Sequence, residues 1–200
     1  MSCDLSMELV VFDLDGVLLD FCEIHYQTLN SAICDVAGPR FEISREEHNT
    51  VYNGRNTRSK LKLLCERTGL SANLEESIFR RKQSLTLAAL SRVEASPTLI
   101  EFFTVLKASG VKIACASNSI RATVDTALRA LGIDKYFDFT LSNEDVIHPK
   151  PNPEIYLRCH LIAGVRPDQT LIYEDSPIGL EAARASGSWV RIVKTPQVLY

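Results

Sequence analysis

No stretch of this chain approaches the ~18–20 consecutive apolar residues that a membrane helix needs. The longest run near its start, Leu9–Phe12, is strand-sized. Met1–Glu8 has neither a basic nor an apolar leader segment, so the expectation is a cytoplasmic protein with no membrane partner. An excess of positive charge is missing too. The chain carries 22 Lys and Arg against 25 Asp and Glu, a net of −3, which gives no footprint for nucleic acid. The six cysteines, at 3, 22, 34, 65, 115 and 159, never stand closer than twelve apart. That spacing excludes C-x-x-C pairs and zinc ligand sets, and Cys34, Cys115 and Cys159 are expected as buried reduced thiols. No repeat or low-complexity tract is present, and nothing advertises a dimer, so a monomer is expected.

What is present is a globular composition. Two hundred residues, 46% hydrophobic and 24% charged, suffice for one or two domains with a sizeable core. The charge is unevenly spread. Residues 40–94 hold 11 basic and 7 acidic side chains, and the remainder holds 11 and 18. A basic middle inside an acidic chain suits an anionic small molecule held between two parts, or else ordinary solvated helix faces.

Strand-like Glu8–Leu14 ends in Asp-Leu-Asp-Gly, and Asp20-x-x-Glu23 offers a cap for a helix that Gly38-Pro39 stops. From Arg40 to Glu94 only helices are expected, with Leu61, Leu64 and Cys65 at helical spacing and Ile78, Leu85 and Leu87 less regular. Strands and helices then alternate: helix 97–109, strand 111–117, helix 120–131, strand 137–141, helix 153–163, strand 170–174, helix 177–186 and strand 189–193. Ser96-Pro97, Asn152-Pro153 and Ser176-Pro177 each set a capping residue before a proline at a helix start. This predicts an α/β fold, a doubly wound parallel sheet interrupted by an all-helical insert. Right-handed crossovers then bring every strand's C-terminal end to one edge, where ligands bind in such sheets.

Asp13, Asp15, Ser117, Asn118, Lys150, Glu174 and Asp175 fall on that edge. Four carboxylates there would repel one another, and a hard divalent cation with a lysine would offset them and suit a phosphate. A carboxylate can attack phosphorus directly, with donors aimed at the phosphoryl oxygens and a second carboxyl moving the proton.

The segments Val-Phe-Asp13-Leu-Asp15-Gly16-Val, Ala-Ser117-Asn118-Ser, Lys150-Pro-Asn-Pro-Glu and Glu174-Asp175-Ser-Pro-Ile-Gly179 resemble, in order and spacing, the four signature motifs of the haloacid dehalogenase superfamily. The variant is similar to the β-phosphoglucomutase-like branch. The resemblance implies a Rossmann-like core over residues 1–20 and 95–200 and a helical cap over 21–94. It implies Asp13 as nucleophile, Asp15 as acid/base and a Mg²⁺ ligand through its carbonyl, Asp175 as metal carboxylate with Glu174 beside it, and Ser117, Asn118 and Lys150 as phosphate contacts. Gly16 matches the backbone approach to the phosphoryl group, and His25, Arg58 and Lys82 fall near substrate-contacting positions of the cap. The implied activity is Mg²⁺-dependent hydrolysis of a small phosphorylated metabolite, with a sugar phosphate as the expected substrate, through an aspartyl-phosphate. A phosphomutase using the same phosphoenzyme is the alternative. Two departures stand out. Ile120 occupies the place of a lysine that the mutases carry after the second motif, and the chain ends at Tyr200, where the family usually continues through a further helix. A phospho-accepting signalling domain would leave the helical insert and Asp15 unexplained.

Overall fold

The structure, a computed structural model, describes residues 7–194; Cys3 and the segment up to Tyr200 lie outside the described residues. Five strands, β1 (Leu9–Phe12), β2 (Lys112–Ala116), β3 (Phe139–Leu141), β4 (Thr170–Glu174) and β5 (Trp189–Ile192), form one parallel sheet in the order β3-β2-β1-β4-β5. β1 reads Leu-Val-Val-Phe because it is central and buried on both faces, where an unbroken apolar run replaces alternation. Its Val10 and Phe12 face the helices α5 (Pro97–Ala108) and α6 (Arg121–Ala130), where Phe12 meets Phe103 at 5.1 Å between ring centres. Leu9 and Val11 face α7 (Glu154–Ala163) and α8 (Pro177–Ala185) through Ile155, Tyr156, Ala182 and Ala183.

The insert comprises α1 (Cys22–Ala37), the single turn α2 (Arg45–Glu47), α3 (Thr57–Thr68) and α4 (Glu75–Leu90), with a π-helical turn at His48–Tyr52. It has an apolar core of its own, built on Leu29, Ile33, Phe41, Tyr52, Leu61 and Ile78. Phe21 and Leu90, both on the insert side of the expected boundaries, pack instead with the sheet's cluster.

Several local expectations need correction. Asp20 does not cap α1; Phe21 stands at the N-cap with no side-chain bond, because Asp20 lies one residue too early. Pro153 is itself the N-cap of α7, and Asn152, the expected cap, accepts from the Glu154 amide at 3.0 Å from one position upstream of it. Ser96 and Ser176 do cap α5 and α8, accepting from Leu99 N and Gly179 N. β1, β2 and β3 are shorter than expected. Cys115 and Cys159 are buried thiols, whereas Cys34 is only half-buried and donates to Glu42 Oε1 at 2.7 Å.

Candidate active site

The register of the sheet brings the expected groups together. Phe12 lies opposite Cys115 on β2 and Tyr173 on β4, so Asp13, Ala116 and Glu174 follow at one level on three adjacent strands. The Lys150 ammonium contacts all three: Asp13 Oδ1 at 2.7 Å, the Ala116 carbonyl at 2.9 Å and Glu174 Oε1 at 2.6 Å. Burial alone would lower the Lys150 pKa, but Asp13 and Glu174 outweigh it and hold the pKa well above its usual value. Asp13 is pushed well above the usual carboxylate range, chiefly by burial, against the pull of Lys150.

Glu174 is fully buried, and both of its oxygens are used. Oε1 also accepts from Tyr156 Oη at 2.8 Å, and Oε2 accepts from the amides of Asp175 and Ser176 at the start of α8. It therefore fixes Lys150 and the start of the helix at the floor of the cavity. Gly179 is glycine because a Cβ there would lie 1.9 Å from Glu174 Oε1. Asp175 differs. Its Oδ1 is buried without a hydrogen-bond partner, and burial followed by Glu174 and Asp15 pushes its carboxyl up to about 7. Oxygens of Asp13, Glu174 and Asp175 lie within 4.8 Å of one another, so an orphaned hard oxygen beside two further carboxylates fits a divalent cation. Gly16 has φ +85° and passes so close to Asp175 that a Cβ would stand 2.0 Å from Oδ2. Its amide donates to Leu19 O at 2.8 Å, and the lack of a Cβ answers to the nearness of Asp175.

Asp15 sits in a different environment. Oδ2 accepts from Ser119 Oγ at 3.0 Å, and Oδ1 lies 3.1 Å from His25 Nε2 without the alignment of a full hydrogen bond. Burial would raise its pKa, but His25, with help from Ser119 and Lys82, holds the carboxyl down at about 2. Lys82 Nζ is 3.1 Å from His25 Nδ1, so a neutral His25 accepts from Lys82 and presents Nε2–H to Asp15. Burial and then Lys82 keep the imidazole pKa low, consistent with that neutral form.

These groups line one cavity of about 230 Å³ between the sheet edge and the insert, below the ~300–1,000 Å³ of drug-sized sites and suited to a small metabolite. Asp13, Asp15, Gly16, Ser117, Asn118, Lys150, Glu174 and Asp175 border it, as do His25 and Lys82 from the insert. Asn118 is a strut more than a free contact: its Nδ2 donates to Gly54 O at 3.0 Å, and its Oδ1 accepts from Lys150 N at 3.1 Å. Ser117 is buried, and its Oγ accepts from Ser119 N. Arg58 does not reach the cavity. It is exposed, pairs with Glu76 and stacks over Phe79 at 4.2 Å. Thr57 and Lys60, on the inward face of the same helix, line the cavity in its place. The signal for them was available: Thr57, Lys60, Leu61 and Leu64 follow i, i+3, i+4, i+7 spacing with the apolar pair already recognised. Ser119 was missed with no comparable signal. Arg121 turns away from the cavity to Thr140 and Asp145.

A model of the family described as haloacid dehalogenase-like hydrolase matches residues 10–193. Among similar proteins, Protein CbbY of Rhodobacter capsulatus is 30% identical over 202 residues, covering 96% of this chain and 86% of that protein. The phosphorylated carbohydrates phosphatase of Thermotoga maritima is 29% identical over 181 residues, covering 90% and 82%. In fold, the crystal structure of β-phosphoglucomutase from Clostridium difficile superposes with a TM-score of 0.83 at 20% identity, covering 97% of this chain and 93% of that one. Among the described residues, no helix is long and apolar enough to cross a membrane.

Proposed function

The chain belongs to the haloacid dehalogenase-like hydrolase family, and on that premise we propose that it is a Mg²⁺-dependent phosphatase of a small phosphorylated metabolite, a sugar phosphate by analogy with the carbohydrate phosphatase it resembles. One observation carries this reading. Asp13 and Asp15 border the same cavity in contrasting settings, Asp13 on a lysine shared with Glu174 and Asp15 on a hydroxyl and a histidine from the insert. Such contrast separates two roles; a cation at Asp13 would draw its carboxyl down and a phosphoryl anion beside Asp15 would push that one up, reversing the directions that the side chains alone set.

In this mechanism the Asp13 carboxylate attacks phosphorus and the bond to the leaving oxygen breaks, giving an aspartyl-phosphate. Asp15 protonates the departing oxygen. It is ionised at rest; the phosphoryl anion arriving beside it raises its proton affinity, so it takes up a proton from solvent as the substrate binds and passes that proton on. Asp15 then takes a proton from water as water attacks the phosphorus, which releases phosphate and regenerates Asp13. Lys150 and Ser117 steady the phosphoryl oxygens, and the insert limits access of bulk water. Asp13 and Asp175, with the Asp15 carbonyl, would hold Mg²⁺, which supplies charge neutralisation between the nucleophile and the incoming phosphoryl group. Glu174 supports that set from behind.

Hydrolysis is favoured over a mutase reaction because Ile120 borders the cavity after the second motif while Arg121 is committed to Thr140 and Asp145. The deciding experiment incubates the protein with Mg²⁺ and a panel of sugar phosphates, reading free phosphate and isomerised sugar phosphate side by side. Free phosphate is the expected main product. Conversion of β-glucose 1-phosphate to glucose 6-phosphate, needing a bisphosphate activator and releasing little phosphate, would establish the mutase instead.

A further inference from the structure

Two lysines of the insert are buried against the cavity, Lys60 with 6% of its surface exposed and Lys82 with 5%. They are not equivalent. Lys82 is committed to His25 and, through it, to Asp15. Lys60 has no hydrogen-bond partner and no carboxylate in ion-pair contact among the described residues, and the mechanism above does not use it. A buried ammonium without a counterion is costly, and such groups are normally paired or neutralised. It stands at i+3 from Thr57 on the inward face of α3, a phase that Leu61 and Leu64 fix.

We propose that Lys60 is the binding group for a second anionic substituent, a phosphate or a carboxylate, on the leaving-group side of the substrate, so that this phosphatase selects doubly anionic phosphomonoesters over those with a neutral leaving group. The proposal rests on the phosphatase reading. The cavity's sheet edge takes the reacting phosphoryl group, and Lys60 reaches the same cavity from the insert, on the side left for the rest of the substrate. Burial brings the ammonium down only to about 8, so it remains mostly charged at neutral pH and available to an anion. Thr57, held by Gln83 through a 3.3 Å hydrogen bond, adds a hydroxyl beside it.

The test compares kcat/KM for matched pairs in Mg²⁺: fructose 1,6-bisphosphate against fructose 1-phosphate, and 6-phosphogluconate against glucose 6-phosphate. At least one pair should favour the doubly anionic member tenfold or more. The phosphate pair identifies a phosphate subsite and the sugar-acid pair a carboxylate subsite. In Lys60→Met, or in Lys60→Gln should the first not fold, that ratio should fall roughly 10–100-fold, the range for a hydrogen bond to a charged group. Lys60→Arg should keep most of it. Without ligand, Lys60→Met should melt no lower than the parent, since it removes an unpaired buried charge. Absence of a preference in both pairs, or a preference that survives loss of the ammonium, overturns the proposal. Failure to release phosphate from every ester, 4-nitrophenyl phosphate included, would bring down the phosphatase reading itself, and the proposal with it.

Discussion

Asp13 and Asp15 are separated by one leucine, yet β1 delivers them to opposite fields, and substitutions should separate their roles. Asp13→Asn keeps shape but loses the proposed nucleophile, so turnover should drop below ~1% of the parent in a phosphate-release assay. Asp15→Asn should slow sugar-phosphate hydrolysis by ~10²–10⁴-fold and cost less in the first step with 4-nitrophenyl phosphate, whose leaving group needs no proton. An equal loss for both esters, where that step limits the rate, would make Asp15 merely structural. A third residue carries a pH signature. His48 is buried against Tyr26 with neither ring nitrogen bonded, and burial, then Lys60, presses it down to about 4. The unfolded chain protonates His48 near 6.5 while the folded one does not, so stability falls as pH drops through that window. The loss is about 2 kcal/mol at pH 5 relative to pH 7. Urea melts of the parent and His48→Leu at the two pH values should show that much less acid sensitivity in the variant. Arg58 and Lys60 mark what the sequence disclosed at this scale. Arg58 reads as a cap contact while Lys60 draws no notice, and only the helical phase set by Leu61 and Leu64 tells the solvent-facing one from the buried one.

Elements built on serine caps make a matched pair for experiment. Ser96 caps α5 far from the cavity, and Ser176 caps α8 while also donating through its amide to Glu174. Ser96→Ala should cost about 1 kcal/mol, roughly 2–4 °C in Tm for a domain of this size, with kinetics unchanged. Ser176→Ala should cost as much and also lower kcat, because it loosens the start of α8 beside Asp175; calorimetry and steady-state assays distinguish the two. The strand–helix alternation was legible because prolines and caps punctuate it. Helix α4 was read less well, from Ile78, Leu85 and Leu87, and the reason is physical. Its buried face includes Lys82, Gln83 and Thr86, polar residues turned inward, and apolar periodicity does not register such a face.

Across the whole molecule, the proposed cation site would tie stability to Mg²⁺. Adding Mg²⁺ should raise the parent's Tm by mass action, and Asp175→Asn should abolish that rise while stabilising the metal-free protein, since it removes a buried carboxylate pushed up by its neighbours. A titration of Tm against Mg²⁺ checks both. The position of the four motifs on one edge followed from parallel topology alone, whereas the convergence of three strands on a single ammonium depends on register, which sequence spacing does not encode.

That strand order also sets a timetable. β1 leaves the ribosome first, yet it is the middle strand, and its flanking partners β2 and β4 begin at Lys112 and Thr170. At roughly 5–20 residues per second, the four apolar residues of β1 wait on the order of ten seconds or more before both neighbours exist. β1 is only four residues long and is followed by Asp13 and Asp15, the kind of flanking charge that lowers the mispairing tendency of an apolar segment. The carboxylates proposed for phosphoryl chemistry also end this apolar run while its partner strands are still unmade.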